Sequence, residues 1–232
     1  MADEQKVERR NFVLNFLEGA LFASSGPLTS AQTVLPALVV KLGGSNVAVG
    51  AVGVVMWVGL FLPQIFSARY VETLPWKKPW AITFGAAQRV MMLLLCASLF
   101  FFGEHHPSVA LLLLFVFYTL NQVLLGVTTP GWFDMFAKMT PTRKRGRLIG
   151  IRSSLGGIGA FCCGLLLAWL LTNVPFPYNF AVAFGIAFVL QSLSLLVQTY
   201  LIETEPSPVV NKRPLFAFVR ELPDVLKTNR AF

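Results

Sequence analysis

Single ionisable side chains inside otherwise uncharged stretches are the first candidates for chemistry in this chain. Glu18 and Arg89 each lie within a long apolar stretch. If these stretches cross a bilayer, such a charge costs about 2.5–3.5 kcal/mol on insertion scales and marks a functional candidate. Glu18 is the stronger candidate, because a carboxyl group at this depth can exchange a proton or recognise a cation. An alternative stays open, in which Arg89 neutralises Glu18 as a fixed structural pair.

A polar stripe accompanies Glu18 along one predicted helix face. At 100° per residue, six polar side chains point in nearly the same direction: Asn11, Asn15, Glu18, Ser25, Thr29 and Gln32. A second, weaker stripe consists of Tyr118, Asn121 and Thr128. Polar faces of membrane helices turn towards protein or water, so the stripes predict a hydrated cavity with Thr29, Gln32 and Asn121 as solute contacts. For Ser25 and Thr29, hydrogen bonds that only hold helices together explain the pattern equally well.

Residue types that carry catalysis or bind metals are few and scattered. His105 and His106 lie together in one short predicted loop without further partners. Cys96, Cys162 and Cys163 lie in apolar stretches and show neither CxxC nor Cys/His spacing, so we interpret them as small apolar residues. We therefore predict no enzyme activity, no metal site and no cofactor.

Membrane-spanning helices must position these candidates. Only 13 % of the residues are charged, against about a quarter in soluble domains. The stretches 42–68, 107–133 and 153–202 contain no charge, and one span needs about 20 apolar residues. Pro175 and Pro177 favour a turn that divides the last stretch into two spans. The predicted fold is an all-α bundle of six spans at about 12–39, 47–69, 80–102, 108–134, 149–172 and 178–202.

The basic residues alternate with these spans. They lie before the first span and after the second, fourth and sixth, whereas the other loops carry only Lys41. The positive-inside rule then places both ends in the cytoplasm. The net charge of +8 is explained by topology, so we expect no nucleic-acid binding. In these loops we expect five structural or gating residues, with Asp134 as a salt-bridge partner near the arginine cluster: Lys77, Lys78, Asp134, Arg145 and Arg147.

Small residues recur along the fifth predicted span. Gly156, Ala160 and Gly164 are spaced four residues apart, which lets helix backbones approach closely. Gly50, Gly53 and Gly59 offer the same opportunity more loosely in the second span. We expect these helices to pack tightly against a neighbour or to slide along it, and tight packing is the simpler explanation for any single glycine.

The segment after the sixth span has a different composition. It begins with a polar, proline-rich run and continues as an amphipathic stretch with Leu215, Phe218 and Leu222 among its apolar residues. We therefore predict a six-helix transmembrane domain over residues 1–203. Residues 204–232 are predicted to form a cytoplasmic linker that leads to a further part of the protein.

The architecture resembles the N-terminal half of a major facilitator superfamily transporter. Six spans, basic loops after spans two and four, and a linker after span six all fit. The stretch 32–36 is similar to the first helix of bacterial members, and the region between spans four and five is similar to that of many members through Pro141, Arg145, Gly146, Arg147, Gly150, Gly156 and Gly159. The loop after span two keeps basic residues but lacks the hallmark Gly and Asp-Arg pair, which indicates a divergent branch.

The resemblance implies two six-helix halves, each a three-plus-three inverted repeat, with solute bound between them. It implies that this chain is a fragment whose C-terminal half is missing, located in a prokaryotic cytoplasmic membrane. The implied function is secondary transport of a small organic solute by alternating access, with Glu18 serving a proton or another coupling ion. A half-size homodimeric transporter, a channel-like protein and a membrane scaffold without transport are the alternatives. The expected partners are the lipid bilayer, the solute, the coupling ion and the second half.

Overall fold

The computed structural model describes residues 2–209 of the chain. This range is helical, with one 3-10 helix, Gly26–Thr29, and seven α-helices: α1 Ala2–Ser24, α2 Val34–Lys41, α3 Asn46–Val71, α4 Lys78–Phe102, α5 Pro107–Met139, α6 Thr142–Asn173 and α7 Tyr178–Thr199. The predicted amphipathic stretch of the linker lies outside the described residues.

Five of these helices, α3 to α7, are long and apolar enough to cross a membrane. They correspond to the second to sixth predicted spans. Lipid offers no hydrogen bonds to the backbone, so a spanning segment must satisfy its own N–H and C=O groups as a helix. α5 and α6 extend beyond the predicted spans, to Met139 and from Thr142, because the helices continue into charged sequence outside the apolar stretches.

The first predicted span, 12–39, which we call the first crossing, is not the single helix that we predicted, and none of its helices is among these five. α1 ends at Ser24, the 3-10 helix follows, and α2 begins only at Val34. Pro27 has no N–H to donate, and its ring clashes with the carbonyl four residues earlier in a continuing helix. Two serine hydroxyls just before the break donate instead to carbonyls of α1. The crossing is therefore discontinuous, as are many helices that form solute sites in secondary transporters.

Helix packing follows the predicted three-plus-three repeat. α1 packs against α6 and α7, and α5 packs in the same way against α3 and α4. α4 and α7 contact each other. If the first crossing is exchanged with α5, α3 with α6 and α4 with α7, the contacts just named form the same set. The described chain therefore consists of two related three-helix units, one formed by the first three crossings and one by the last three.

Glycines permit close helix contacts between the two units. A Cβ atom on Gly126 of α5 would run into the α3 backbone at Gly59 and the following residue. A Cβ on Gly156 of α6 would lie 2.7 Å from the Cβ of Ala23 in α1. Gly164 faces open space, so the small-residue stripe of α6 makes its tight contact only in its first part.

Candidate functional site

The break in the first crossing opens onto a cavity of about 340 Å³, which we call the polar cavity. Residues of α3, α4, α5 and α7 complete its wall. Thr29, Gln32 and Asn121, the predicted solute contacts, all line it. Each of its lining residues is uncharged. Four polar members of this wall were not predicted from the sequence, namely Ser30, Gln88, Gln122 and Gln191.

Amide side chains connect the helices around the polar cavity. Nδ2 of Asn121 donates to the backbone carbonyl of Gln88 over 3.0 Å, which ties α5 to α4. Nε2 of Gln191 donates to Oγ of Ser25 over 3.1 Å, which ties α7 to the break. Oε1 of Gln191 is buried and has no partner among the described residues. The wall therefore offers hydrogen-bonding capacity beyond what the protein uses.

A second cavity of about 190 Å³, the charged cavity, adjoins the first. The two share Phe22, Gln88 and Leu125 as lining residues. Glu18 and Arg89, the two ionisable residues singled out in the sequence, both line the charged cavity. The two polar stripes thus border the same pair of cavities.

The direct partner of Glu18 is Arg152. Nη1 of Arg152 donates to Oε2 of Glu18 over 2.6 Å, and the hydroxyl of Ser194 donates to Oε1 over 3.3 Å. Arg152 also donates to the carbonyl of Asn15 over 3.0 Å. The alternative of a fixed Glu18–Arg89 pair is therefore wrong in its partner, because the ion pair of Glu18 is with Arg152 and the hydrogen bonds of Arg89 go to other residues.

Because Gly19 has no side chain, it leaves space for the Arg152 side chain to reach Glu18. A Cβ atom on Gly19 would collide with the Arg152 side chain, so a larger residue in that position of α1 would block the approach. Arg152 lies about 15 Å along α6 from its first residue at 1.5 Å per residue. Arg152 was not predicted as a site residue because it borders the uncharged stretch 153–202 and is not enclosed by it. Continuing the helix back into the basic loop would have revealed its depth.

The Arg89 guanidinium contacts only uncharged groups among the described residues. Its Nε donates to the carbonyl of Gln191 over 3.2 Å, and its Nη1 donates to the carbonyl of Gly85 over 3.1 Å and to Oε1 of Gln88 over 2.6 Å. The guanidinium lies 5.6 Å from the ring centroid of Phe22. Arg89 is thus buried at 7 % exposure without a direct carboxylate contact among the described residues.

The basic loops meet at one end of the bundle, where Glu203 occupies a central position that sequence analysis did not recognise. Its carboxylate accepts hydrogen bonds from the backbone N–H groups of Lys77 and Lys78, over 3.0–3.1 Å, at the start of α4. Nζ of Lys138 lies 2.9 Å away. Unpaired N–H groups and the helix dipole favour a carboxylate at this place. Glu203 therefore fastens the segment after α7 to α4 and α5.

Two of the predicted gating lysines close helix ends near Glu203. Nζ of Lys77 donates to the carbonyl of Val71, the last residue of α3, and to that of Leu74 in the loop that follows. Nζ of Lys78 donates to the carbonyl of Leu201 over 2.7 Å. Burial lowers the pKa of Lys77, and the carboxylate of Asp134 is the strongest influence that opposes this change. Asp134 thus acts on Lys77 across the basic end.

The arginine cluster is used differently from the expectation. Arg145 donates to the carbonyls of Ala137 and Thr140 and so closes the end of α5. Arg147 is exposed. Among the described residues Asp134 forms no ion pair with these arginines. The salt bridge that we expected there is therefore not formed.

Replacing Glu203 by glutamine is expected to lower the free energy of unfolding by about 1 kcal/mol, because the change removes an ion pair and a negative charge at a helix N-terminus. Thermal unfolding of the purified protein in detergent measures the effect. Glu205→Gln is the matched control, since Glu205 is exposed. Equal stability changes in the two variants would contradict the role of Glu203.

A third cavity is a groove on the surface of the bundle. It measures about 640 Å³ and runs between α4 and α7, lined by apolar side chains such as Phe100, Phe101 and Val189. These three side chains are also exposed, as is typical of helix surfaces that contact lipid. The two interior cavities, which contain the polar groups, are therefore the candidate site.

Comparison with known proteins agrees with the resemblance found in the sequence. A search of curated proteins gives no match. The sequence model of the family described as Major Facilitator Superfamily matches residues 19–230, which include the break and α2 to α7. Members of this family are multi-pass membrane transporters of small solutes. The chain is accordingly an integral membrane protein and belongs to the Major Facilitator Superfamily.

Proposed function

We propose that this chain forms one half of a secondary transporter that moves a small organic solute by alternating access. The observation that carries the proposal is a discontinuous first crossing beside two adjoining polar cavities. Discontinuous helices commonly form the solute sites of secondary transporters near the bilayer midplane. The cavities supply an interior place for a solute in a bundle with largely apolar outer surfaces.

The polar cavity is the proposed solute site. Its volume of about 340 Å³ falls within the range of about 300–1,000 Å³ that is usual for small-molecule pockets. Thr29, Gln32 and Asn121 line this cavity and are the proposed contacts. A second six-helix unit would complete the wall, as the two-half architecture of the family implies.

Glu18 is the proposed coupling group. The ion pair with Arg152 joins α1 of the first three-helix unit to α6 of the second. Protonation of Glu18 would remove the negative charge that holds Arg152, and α6 could then move relative to α1. Such a change links proton binding to a rearrangement of packed helices, which is a known way to bias a two-state equilibrium.

In this proposal the basic end faces the cytoplasm, in accordance with the positive-inside rule, and the membrane is a prokaryotic cytoplasmic membrane. Lys77, Lys78, Asp134, Arg145 and Arg147 then stiffen the cytoplasmic loops. Gly156, Ala160 and Gly164 lie on the helix that Arg152 joins to α1. These residues support the gating of the transporter without contacting solute.

Uptake into vesicles that contain the purified full-length protein tests the proposal. Radiolabelled sugars, amino acids and organic acids are offered with and without an inward proton gradient. A gradient of about one pH unit stores about 1.4 kcal/mol per proton and supports about tenfold accumulation. We expect the native protein to accumulate its solute, whereas Glu18→Gln should only equalise the concentrations on the two sides.

Glu205→Gln serves as control, because this exposed carboxylate lies outside both cavities. It should accumulate solute like the native protein. Uphill uptake that persists in Glu18→Gln would contradict the coupling role. Uptake by the native protein that never exceeds that of protein-free vesicles, for the whole set of solutes, would contradict transport itself.

A further inference from the structure

The charged cavity contains more positive than negative charge. Its ionisable lining residues are Glu18, Arg89 and Arg152. Arginine stays protonated in proteins, so one carboxylate faces two guanidinium groups. An unbalanced charge within the membrane is expensive, which favours a negatively charged ligand at this place.

The hydrogen bonds of the charged cavity point to the same kind of ligand. Both oxygens of Glu18 already accept hydrogen bonds from Arg152 and Ser194. Arg89 uses Nε and Nη1 for its contacts within the described structure, which leaves Nη2 available. Nε2 of Gln198 is buried and has no partner among the described residues. The cavity therefore offers unused donors, and a matching ligand must bring acceptor oxygens.

Arg89, rather than Arg152, is the residue with a free charge. Arg152 forms the ion pair with Glu18 and lies 4.6 Å from the ring centroid of Trp132. The contacts of Arg89 are all to carbonyl and amide oxygens and to the Phe22 ring. These groups orient its guanidinium but do not neutralise it.

We propose that the charged cavity binds a carboxylate group of the transported solute, with Arg89 and Gln198 as its hydrogen-bond donors. The identification of the ligand as solute rests on the transport function proposed above. The volume of about 190 Å³ is that of about six water molecules at 30 Å³ each, which is sufficient for a carboxylate and a few carbon atoms. The polar cavity shares a wall with it and accepts an uncharged, hydrogen-bonding remainder. The solute class is thus a small polar organic acid.

Thermal unfolding of the purified full-length protein tests this with acetate as the probe. Sodium acetate, sodium chloride and acetamide in sodium chloride are compared at equal ionic strength, up to about 100 mM of each probe. Acetate should raise Tm by about 3 °C relative to chloride when it reaches about ten times its Kd. Acetamide has nearly the same shape without the charge and should cause no increase.

Substitutions test whether the acetate-dependent increase in Tm depends on Arg89. Arg89→Gln should abolish the acetate-dependent increase in Tm, and Arg89→Lys should retain part of it, because the charge remains but the planar donor arrangement is lost. Arg143→Gln is the matched control, since Arg143 is exposed and lies outside both cavities. It should respond to acetate like the native protein.

Three outcomes would overturn the assignment. Acetate and acetamide could act alike on the native protein, which decides the question even if Arg89→Gln does not fold. Chloride could stabilise as much as acetate, which would indicate a site for inorganic anions. Arg89→Gln could keep the full response. None of these requires transport. A protein that binds acetate but moves no solute would therefore contradict the proposed function and the identification of the ligand as solute, and would leave only the carboxylate site at Arg89 and Gln198 in place.

Discussion

Replacing Arg152 by glutamine is expected to lower the free energy of unfolding by about 3–5 kcal/mol, because it leaves the Glu18 carboxylate buried without its partner. Glu18 is 3 % exposed, and its remaining hydrogen bond comes from Ser194 over 3.3 Å. Titration of the purified full-length protein with SDS in mixed micelles measures the loss. The exposed Arg143→Gln substitution should change stability by no more than about 0.5 kcal/mol.

The double variant Glu18→Gln with Arg152→Gln separates an ion pair from simple loss of packing. Removing both charges eliminates the uncompensated carboxylate, and a buried pair replaced as a whole is often near neutral for stability. We therefore expect the double variant to regain most of the stability that Arg152→Gln loses. If the two single losses simply add, the contact between Glu18 and Arg152 contributes nothing, and the proposed coupling through this pair must be abandoned.

The membrane helices could be predicted because lipid leaves the backbone few options. The uncharged stretch 107–133 had to be helical, and α5 contains all of it. Its end at Met139 was not predicted because hydropathy reports the apolar stretch, whereas the helix continues beyond it. The same reason placed the start of the predicted span, at 149, later than that of α6 at Thr142. Arg152 therefore stood only three residues inside the predicted span and was not recognised as a charge inside the bundle.

The break in the first crossing escaped prediction for a different reason. A hydropathy pattern does not register backbone hydrogen bonds, and the residues at the break are as uncharged as the rest of the stretch. The local signals were Gly26 and Pro27 together with the two serines before them. Since proline also occurs inside membrane helices, as Pro63 does in α3, the sequence alone could not decide between a continuous helix and a break.

The partners of the buried groups depend on tertiary packing. Glu18 and Arg89 could be identified one at a time, since each stands alone in an apolar stretch. The contact of Glu18 with Arg152 joins residues 134 positions apart, and no local pattern specifies it. On α7, the spacing of Gln191, Ser194 and Gln198 places three polar side chains on one helix face, and this was the available signal for the remaining wall of the site.

Gly126→Ala is expected to lower the free energy of unfolding by about 1–3 kcal/mol, the usual cost of overpacking. The new Cβ atom would overlap backbone carbonyl oxygens of α3, which cannot rotate away as a side chain could, so α3 and α5 would have to separate. Denaturation with SDS measures the loss in the full-length protein.

Gly53→Ala in α3 is the matched control, because a Cβ atom there meets nothing within 4 Å. Alanine favours a helix over glycine by about 1 kcal/mol, so this variant should gain stability where Gly126→Ala loses it. The same chemical change then has opposite signs at two glycines of neighbouring helices, and only the distance between backbones distinguishes the two positions. Changes of the same sign would mean that helix propensity, and not close packing at Gly126, governs the α3–α5 contact, and the symmetric contact of α1 with α6 at Gly156 would need the same reinterpretation.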